Sequence, residues 1–178
     1  QKNRLLAQNP NIFTTSRPKY NYKFDPTFGL DDEAKMLLDS AHQFAQAEIA
    51  PYAAKWDRDH EFDRNTVKKA AELGFTALYT STDFGGVNLS RKNSALIFET
   101  LATADPVFTA YLTVHNMASF MIDKYGSDDL RHKWGPKLSS YELGASYALT
   151  EPNAGSDAAN LSTSAVKDGN DYVINGSK

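Results

Sequence analysis

The feature that most constrains this chain is a change of period near residue 144. Up to about residue 140, apolar side chains recur three or four positions apart. Beyond it they form short apolar runs separated by turn residues. The first spacing puts one face of a helix in a core, whereas short runs bounded by Gly, Asn and Asp suit strands. The two patterns are segregated along the chain. The sequence therefore reads as α+β, an all-α N-terminal domain followed by the start of a β domain.

The first helix is expected near Asp31, Asp32 and Glu33, where a capping side chain and negative charge suit a helix N-terminus. Its apolar face runs through Ala34, Leu37, Leu38, Ala41, Phe44, Ala45 and Ile49, with Glu48 at the edge. Pro51 lacks an N–H and its ring presses on the Ala47 carbonyl, which predicts a kink or break before helical character resumes over Tyr52–Trp56. A short helix follows over Asn65–Leu73, ended by Gly74. Residues 80–88 are turn chemistry. Two helices over about Lys92–Thr103 and Val107–Tyr125 are separated at Asp105-Pro106, the second stopped by Gly126. A last helix over about Asp128–Trp134 should stop at Gly135-Pro136. Such helices with short connections suggest a bundle.

The C-terminal stretch predicts three short strands: Ser146–Leu149, Leu161–Val166 and Tyr172–Ile174. The last two are joined by a hairpin turn across Lys167–Asp171. Three short strands can hardly bury two faces or protect their edges, so a partner segment is expected.

Composition excludes several function classes. There is no Cys, hence no disulfide, thiolate metal site or Cys nucleophile. The four His (42, 60, 115 and 132) show no ligand spacing and read as surface or packed side chains. The net charge of −3 is uneven. Residues 1–24 carry Lys2, Arg4, Arg17, Lys19 and Lys23 and no acid, leaving 14 basic residues against all 22 acidic ones in the remainder. Such a basic, Ser- and Thr-bearing start suits a transit-peptide remnant or a basic tail. An acidic body argues against nucleic acid as a partner. No run approaches the roughly 18 apolar residues of a membrane span.

The segment Tyr147–Asn160 is the chemical candidate. It starts as an apolar run, passes Pro152 and opens into Gly155-Ser156-Asp157. Gly permits close approach of backbone N–H groups to a ligand, and Ser and Asp offer short polar contacts. By spacing alone it reads first as a polar connection leaving a strand and capping a turn of helix, and a bare Gly-Ser-Asp is not specific.

The run from Ala148 and Leu149 through Thr150-Glu151, two variable residues, Ala154 and Gly155-Ser156-Asp157 resembles the signature of the acyl-CoA dehydrogenases. Asn153-Ala154 departs from the commoner pair with Gly first. Glu72-Leu73-Gly74-Phe75, Phe84-Gly85-Gly86 and Gly176-Ser177-Lys178 stand where such chains carry similar elements, so the resemblance spans roughly residues 30–178. Ile97–Thr103, His115-Asn116-Met117 and Asn175–Lys178 are most similar to the branch acting on isobutyryl-CoA in valine breakdown.

Residues 1–29, with little periodicity, read as leader and linker; the resemblance implies 30–144 as the helical N-terminal domain and 145–178 as the beginning of a β-barrel or β-sandwich middle domain. It implies FAD as cofactor, with Tyr147, Ala148, Leu149 and Thr150 along the flavin, Gly155 near its phosphates, and Ser156 toward both cofactor and CoA thioester. Phe108 and Thr109 are candidates for the acyl pocket, with ordinary helix packing as the other reading. In the family a glutamate removes the α-proton of the thioester. No catalytic base is assigned here, because that residue is expected C-terminal to Lys178, and Glu151 is structural or orienting. Further implications are an acyl-CoA substrate, an electron-transfer flavoprotein as partner, a homotetramer at full length, and the mitochondrial matrix. The rival readings are an acyl-CoA oxidase and a non-catalytic interaction module.

Overall fold

The computed structural model describes residues 27–178; the leader expected over 1–29 lies almost wholly outside them. Among the described residues, six α-helices precede one β-hairpin: α1 (Asp32–Phe44), α2 (Ala53–Asp59), α3 (Arg64–Glu72), α4 (Arg91–Ala102), α5 (Pro106–Tyr125), α6 (Asp128–Ser139), β1 (Ser164–Asp168) and β2 (Asp171–Asn175). The α+β reading holds.

Each long helix starts where a side chain can satisfy its free N–H groups. Asp31, Asp63, Ser90, Asp105 and Ser127 accept from the backbone of α1, α3, α4, α5 and α6 respectively. Such caps contribute about 1 kcal/mol each. Ahead of Pro51 the last turn of α1 widens to π geometry over Ala45–Ile49, with Ala50 N–H donating to the Ala45 carbonyl at 2.8 Å. The helix breaks there and α2 begins at Ala53. Glu48 is half-buried at the edge of the apolar face and pairs with Lys69 at 2.6 Å.

The core gathers Ala41, Phe44, Ile49, Trp56, Val67, Ile97, Leu101, Phe108 and Leu112 from the first five helices, closed by Phe75 and Leu78 from the loop after α3. Asn116 on α5 fixes that loop. Its amide accepts Leu78 N–H at 2.8 Å and donates to the Phe75 carbonyl at 2.9 Å. A second tie joins the loop to α5 and α6. Asp123 accepts both the N–H and hydroxyl of Ser81 at 2.8 and 2.7 Å, and Arg131 pairs with it at 3.1 Å. Burial alone would raise the Asp123 pKa; the hydrogen bonds from Ser81 and Arg131 outweigh it and hold the carboxyl below its usual value.

Two sequence expectations fail. Gly135-Pro136 does not stop the last helix, which continues to Ser139. The reason is packing: Gly135 is buried so close to Phe84 that a Cβ would meet the Phe84 carbonyl oxygen at 2.5 Å. Pro136 lies on the exposed side, where solvent can reach the carbonyl it leaves unpaired. The predicted strand Ser146–Leu149 does not form, leaving a two-stranded sheet instead of three.

The hairpin pairs antiparallel from Ser164↔Asn175 to Asp168↔Asp171, so its loop is Gly169-Asn170. Gly169 takes the positive φ, 60°, that a two-residue hairpin loop requires. Every residue of both strands is exposed.

Candidate functional site

Residues 147–157 leave the helical core through a hinge built around one imidazole. α6 ends at Ser139, Tyr141 adopts a left-handed φ of 55°, and the chain crosses to Ala145. His115 on α5 is 1 % exposed and bridges that connection. Its Nε2 lies 3.0 Å from the Leu138 carbonyl oxygen, and its Nδ1 lies 3.0 Å from the Ala145 nitrogen. A carbonyl only accepts and an amide N–H only donates, so the ring is neutral with its proton on Nε2. Burial pushes its pKa below the ordinary histidine value, outweighing the opposite effect of the bond to the Leu138 carbonyl. Tyr141 packs edge-on against the ring at 4.9 Å.

From Ala145 to Thr150 the chain makes no backbone–backbone hydrogen bond among the described residues. Tyr147, Ala148 and Thr150 are exposed and Leu149 is half-buried. The segment is held from its two ends. Upstream, Ala145 N–H is bound by His115; downstream, Lys178 Nζ donates to the Leu149 carbonyl at 2.8 Å. The backbone groups between remain available.

Next comes a tight reversal in which Glu151 and Ala154 exchange backbone hydrogen bonds of 3.0 and 3.1 Å. The Glu151 carboxylate turns inward, 4 % exposed. It accepts the N–H of Ser162 at 2.6 Å, the hydroxyl of Ser162 at 2.9 Å, and the N–H of Thr163 at 3.1 Å. Hydrogen bonds from Thr163, then from Ser162, ahead of Lys178, hold it far below the usual carboxylate range, although burial works the other way. This explains why β1 starts at Ser164 and not at Leu161: the amides of Ser162 and Thr163 are committed to Glu151.

Gly155 and Ser156 are exposed, and a Cβ built on Gly155 would meet nothing within 4 Å. Nothing inside the chain requires glycine there. Phe108 and Thr109 sit elsewhere. Phe108 is 2 % exposed, stacked on Trp56 at 6.0 Å, and Thr109 is buried with its hydroxyl donating to the Asp105 carbonyl at 2.9 Å. A cavity of about 530 Å³ opens beside them, lined by Trp56, Phe62, Val107, Phe108 and Tyr111. Thr109 does not line it. The structure thus brings Tyr147–Ser156 together and leaves Phe108 and Thr109 in the helical core.

Sequence reasoning did not find the roles of His115 or Lys178. The available signal was weak: His115 and Asn116 are adjacent polar residues near the middle of a mostly apolar helix, and both prove fully buried. Among the described residues no group of three or more His, Asp or Glu is placed to hold a metal ion, and no helix is long and apolar enough to cross a membrane.

Residues 31–142 match the family described as acyl-CoA dehydrogenase, N-terminal domain, and residues 146–178 match acyl-CoA dehydrogenase, middle domain. The chain is 43% identical over 177 residues to the mitochondrial isobutyryl-CoA dehydrogenase of Dictyostelium discoideum, covering 99% of this chain and 42% of that protein. It is 48% identical over 154 residues to the protein of the same name from Bos taurus, covering 86% and 37%. A solved FAD complex of PigA resembles it with a TM-score of 0.78 at 30% identity, over 86% of this chain and 40% of that one. The chain spans about two fifths of the length of these relatives. From α1 through the hinge to the hairpin, it belongs to the acyl-CoA dehydrogenase family.

Proposed function

We propose that this chain forms part of an FAD-dependent dehydrogenase that oxidises a short or branched acyl-CoA between its α and β carbons, with isobutyryl-CoA as the first substrate. Residues 30–144 are its helical N-terminal domain and 145–178 the opening of its middle domain. The family matches over 31–142 and 146–178 support that division. The observation that carries the reading is the segment 145–150, fixed at both ends by side chains while its intervening backbone stays unpaired.

That donor set fits an isoalloxazine, which presents a polar edge of hydrogen-bonding atoms beside an aromatic plane. Backbone groups of Tyr147, Ala148 and Leu149 and the exposed Thr150 hydroxyl would meet the polar edge, with Tyr147 along the flavin. Gly155, which nothing in the chain crowds, would admit the phosphates, and Ser156 would reach toward cofactor and thioester. FAD, when bound, supplies the two-electron acceptor for the hydrogen leaving the β carbon. The chain's part is to aim donors at fixed positions before reaction, so that little reorganisation is needed as charge develops.

Glu151 is unsuited to take the α-proton. It is buried, surrounded by donors and held as an anion of low proton affinity, whereas a general base works best with a pKa near the working pH. The base is assigned to residues C-terminal to Lys178. Phe108 belongs to the wall of the cavity beside Trp56, which makes it the better of the two acyl-pocket candidates. By the names of the relatives, the mitochondrion is the expected compartment, and the matrix is the proposed site within it. An electron-transfer flavoprotein as electron acceptor and a homotetramer complete the proposal.

The test is turnover by the full-length, FAD-loaded protein with isobutyryl-CoA and straight-chain acyl-CoAs, using an artificial electron acceptor. Highest kcat/KM for isobutyryl-CoA is expected. Preference for a longer straight chain would move the branch assignment, and a protein that retains no flavin would end the whole reading. Thr150→Val should weaken FAD retention without altering the fold.

A further inference from the structure

We propose that His115 is a positioning residue for the flavin-facing segment: by accepting the Ala145 N–H on Nδ1, it sets where that segment leaves the helical domain. The inference rests on the FAD reading above.

Three observations carry it. The imidazole is buried beneath the segment's entry and contributes no group to the exposed face, so it acts only through what it binds. It bonds both sides of the connection, Leu138 in the last turn of α6 and Ala145 at the start of the segment. Residues 145–150 have no backbone pairing of their own among the described residues. A segment without a ladder takes its position from its ends. The downstream end is held by Lys178 and Glu151, which are tied to the chain flanking the hairpin. The upstream end has His115, the contact that refers the segment to α5.

The two bonds of the ring can be separated chemically. The side-chain carbonyl of Asn overlays Nδ1, so His115→Asn keeps an acceptor for Ala145 and loses the donor to Leu138. The amide of Gln reaches the Nε2 position, so His115→Gln keeps the donor and loses the acceptor. Acid offers a third route without mutation, because a proton on Nδ1 faces the Ala145 N–H and breaks that bond. The titratable groups near the ring are Tyr141, edge-on at 4.9 Å, and the Arg64 guanidinium, 5.5 Å from the centre of the Tyr141 ring. Burial pushes the Tyr141 pKa up, so its hydroxyl stays neutral as the pH falls.

The experiment uses the full-length protein with FAD and reads visible circular dichroism of the flavin and FAD affinity. His115→Asn should keep the wild-type spectrum and affinity. His115→Gln should alter the spectrum and bind FAD roughly two- to tenfold more weakly, the scale of one lost neutral hydrogen bond. The wild-type spectrum should also change reversibly in acid, below the ordinary histidine range, the change being absent in His115→Asn. Equal losses in both variants, or an acid-induced change of the same size in His115→Asn as in the wild type, would show that His115 only fills and ties the core, overturning the inference while leaving the FAD reading intact. Wild-type protein that takes up no FAD would overturn that reading and this inference together.

Discussion

Lys178 places its Nζ 3.0 Å from Glu151 Oε1, joining the last residue of the chain to the acid of the Thr-Glu motif. The same ammonium donates to the Leu149 carbonyl at 2.8 Å. One cation therefore links β2's C-terminal side to both the segment and its turn, and Glu151 completes the link through the amides of Ser162 and Thr163. The motif's acid is a structural clasp.

Glu151→Gln is expected to lower the melting temperature at neutral pH and to loosen residues 145–163 in hydrogen exchange. Because the folded-state pKa is depressed, the unfolded chain binds a proton more readily below the usual glutamate value of 4.5. The stability Glu151 contributes is thus fully present above that pH and lost as pH falls further. Thermal melts across the acid range should show a shallower dependence in the variant. An identical pH dependence in both proteins would remove Glu151 from this role.

The purified 178-residue chain should not dehydrogenate isobutyryl-CoA in the presence of FAD and an electron-acceptor dye. Glu151 is buried and poorly basic, and no other acid lies between Tyr147 and Ser156. Measurable turnover by this chain alone would place the base within residues 1–178.

Phe108→Ala should cost about 3–5 kcal/mol, the range for emptying a buried aromatic site, because Phe108 stacks on Trp56 and closes the core. Thr109→Ala should cost about 1 kcal/mol, the scale of its one hydrogen bond to the Asp105 carbonyl. Urea denaturation followed by circular dichroism separates the two. Costs of similar size would mean that Phe108 packs less tightly than its burial indicates.

Asp123→Asn should destabilise the chain by about 1.5–3 kcal/mol, since the substitution weakens charge-assisted bonds to Ser81 and Arg131. The loss should appear first as faster hydrogen exchange in the loop around Ser81, which Asp123 ties to α5 and α6. Uniform loosening of the molecule would argue against that local role.

The helical bundle was legible because each helix carries its own instructions. The apolar stripe from Ala34 to Ile49, the Asp and Ser caps, and Pro51 all act through neighbours three or four residues away, within reach of the sequence pattern. The hairpin was legible for the same reason: Gly169-Asn170 is a local turn. Pro136 was misread because its local preference was outweighed by Gly135 packing against Phe84, 51 positions earlier in the chain. The strand expected at Ser146–Leu149 failed for want of a partner, since an apolar run becomes a strand only when another strand takes its hydrogen bonds.

Sequence by itself thus determined the fold class, the order of the helices, and, through the motif at Leu149–Asp157, the family. Tertiary structure alone decided that His115 holds Ala145, that Lys178 holds Leu149, and that Glu151 faces inward. These bonds join residues 11 to 30 positions apart. Burial then sets their protonation and strength, and burial is a property of the folded molecule.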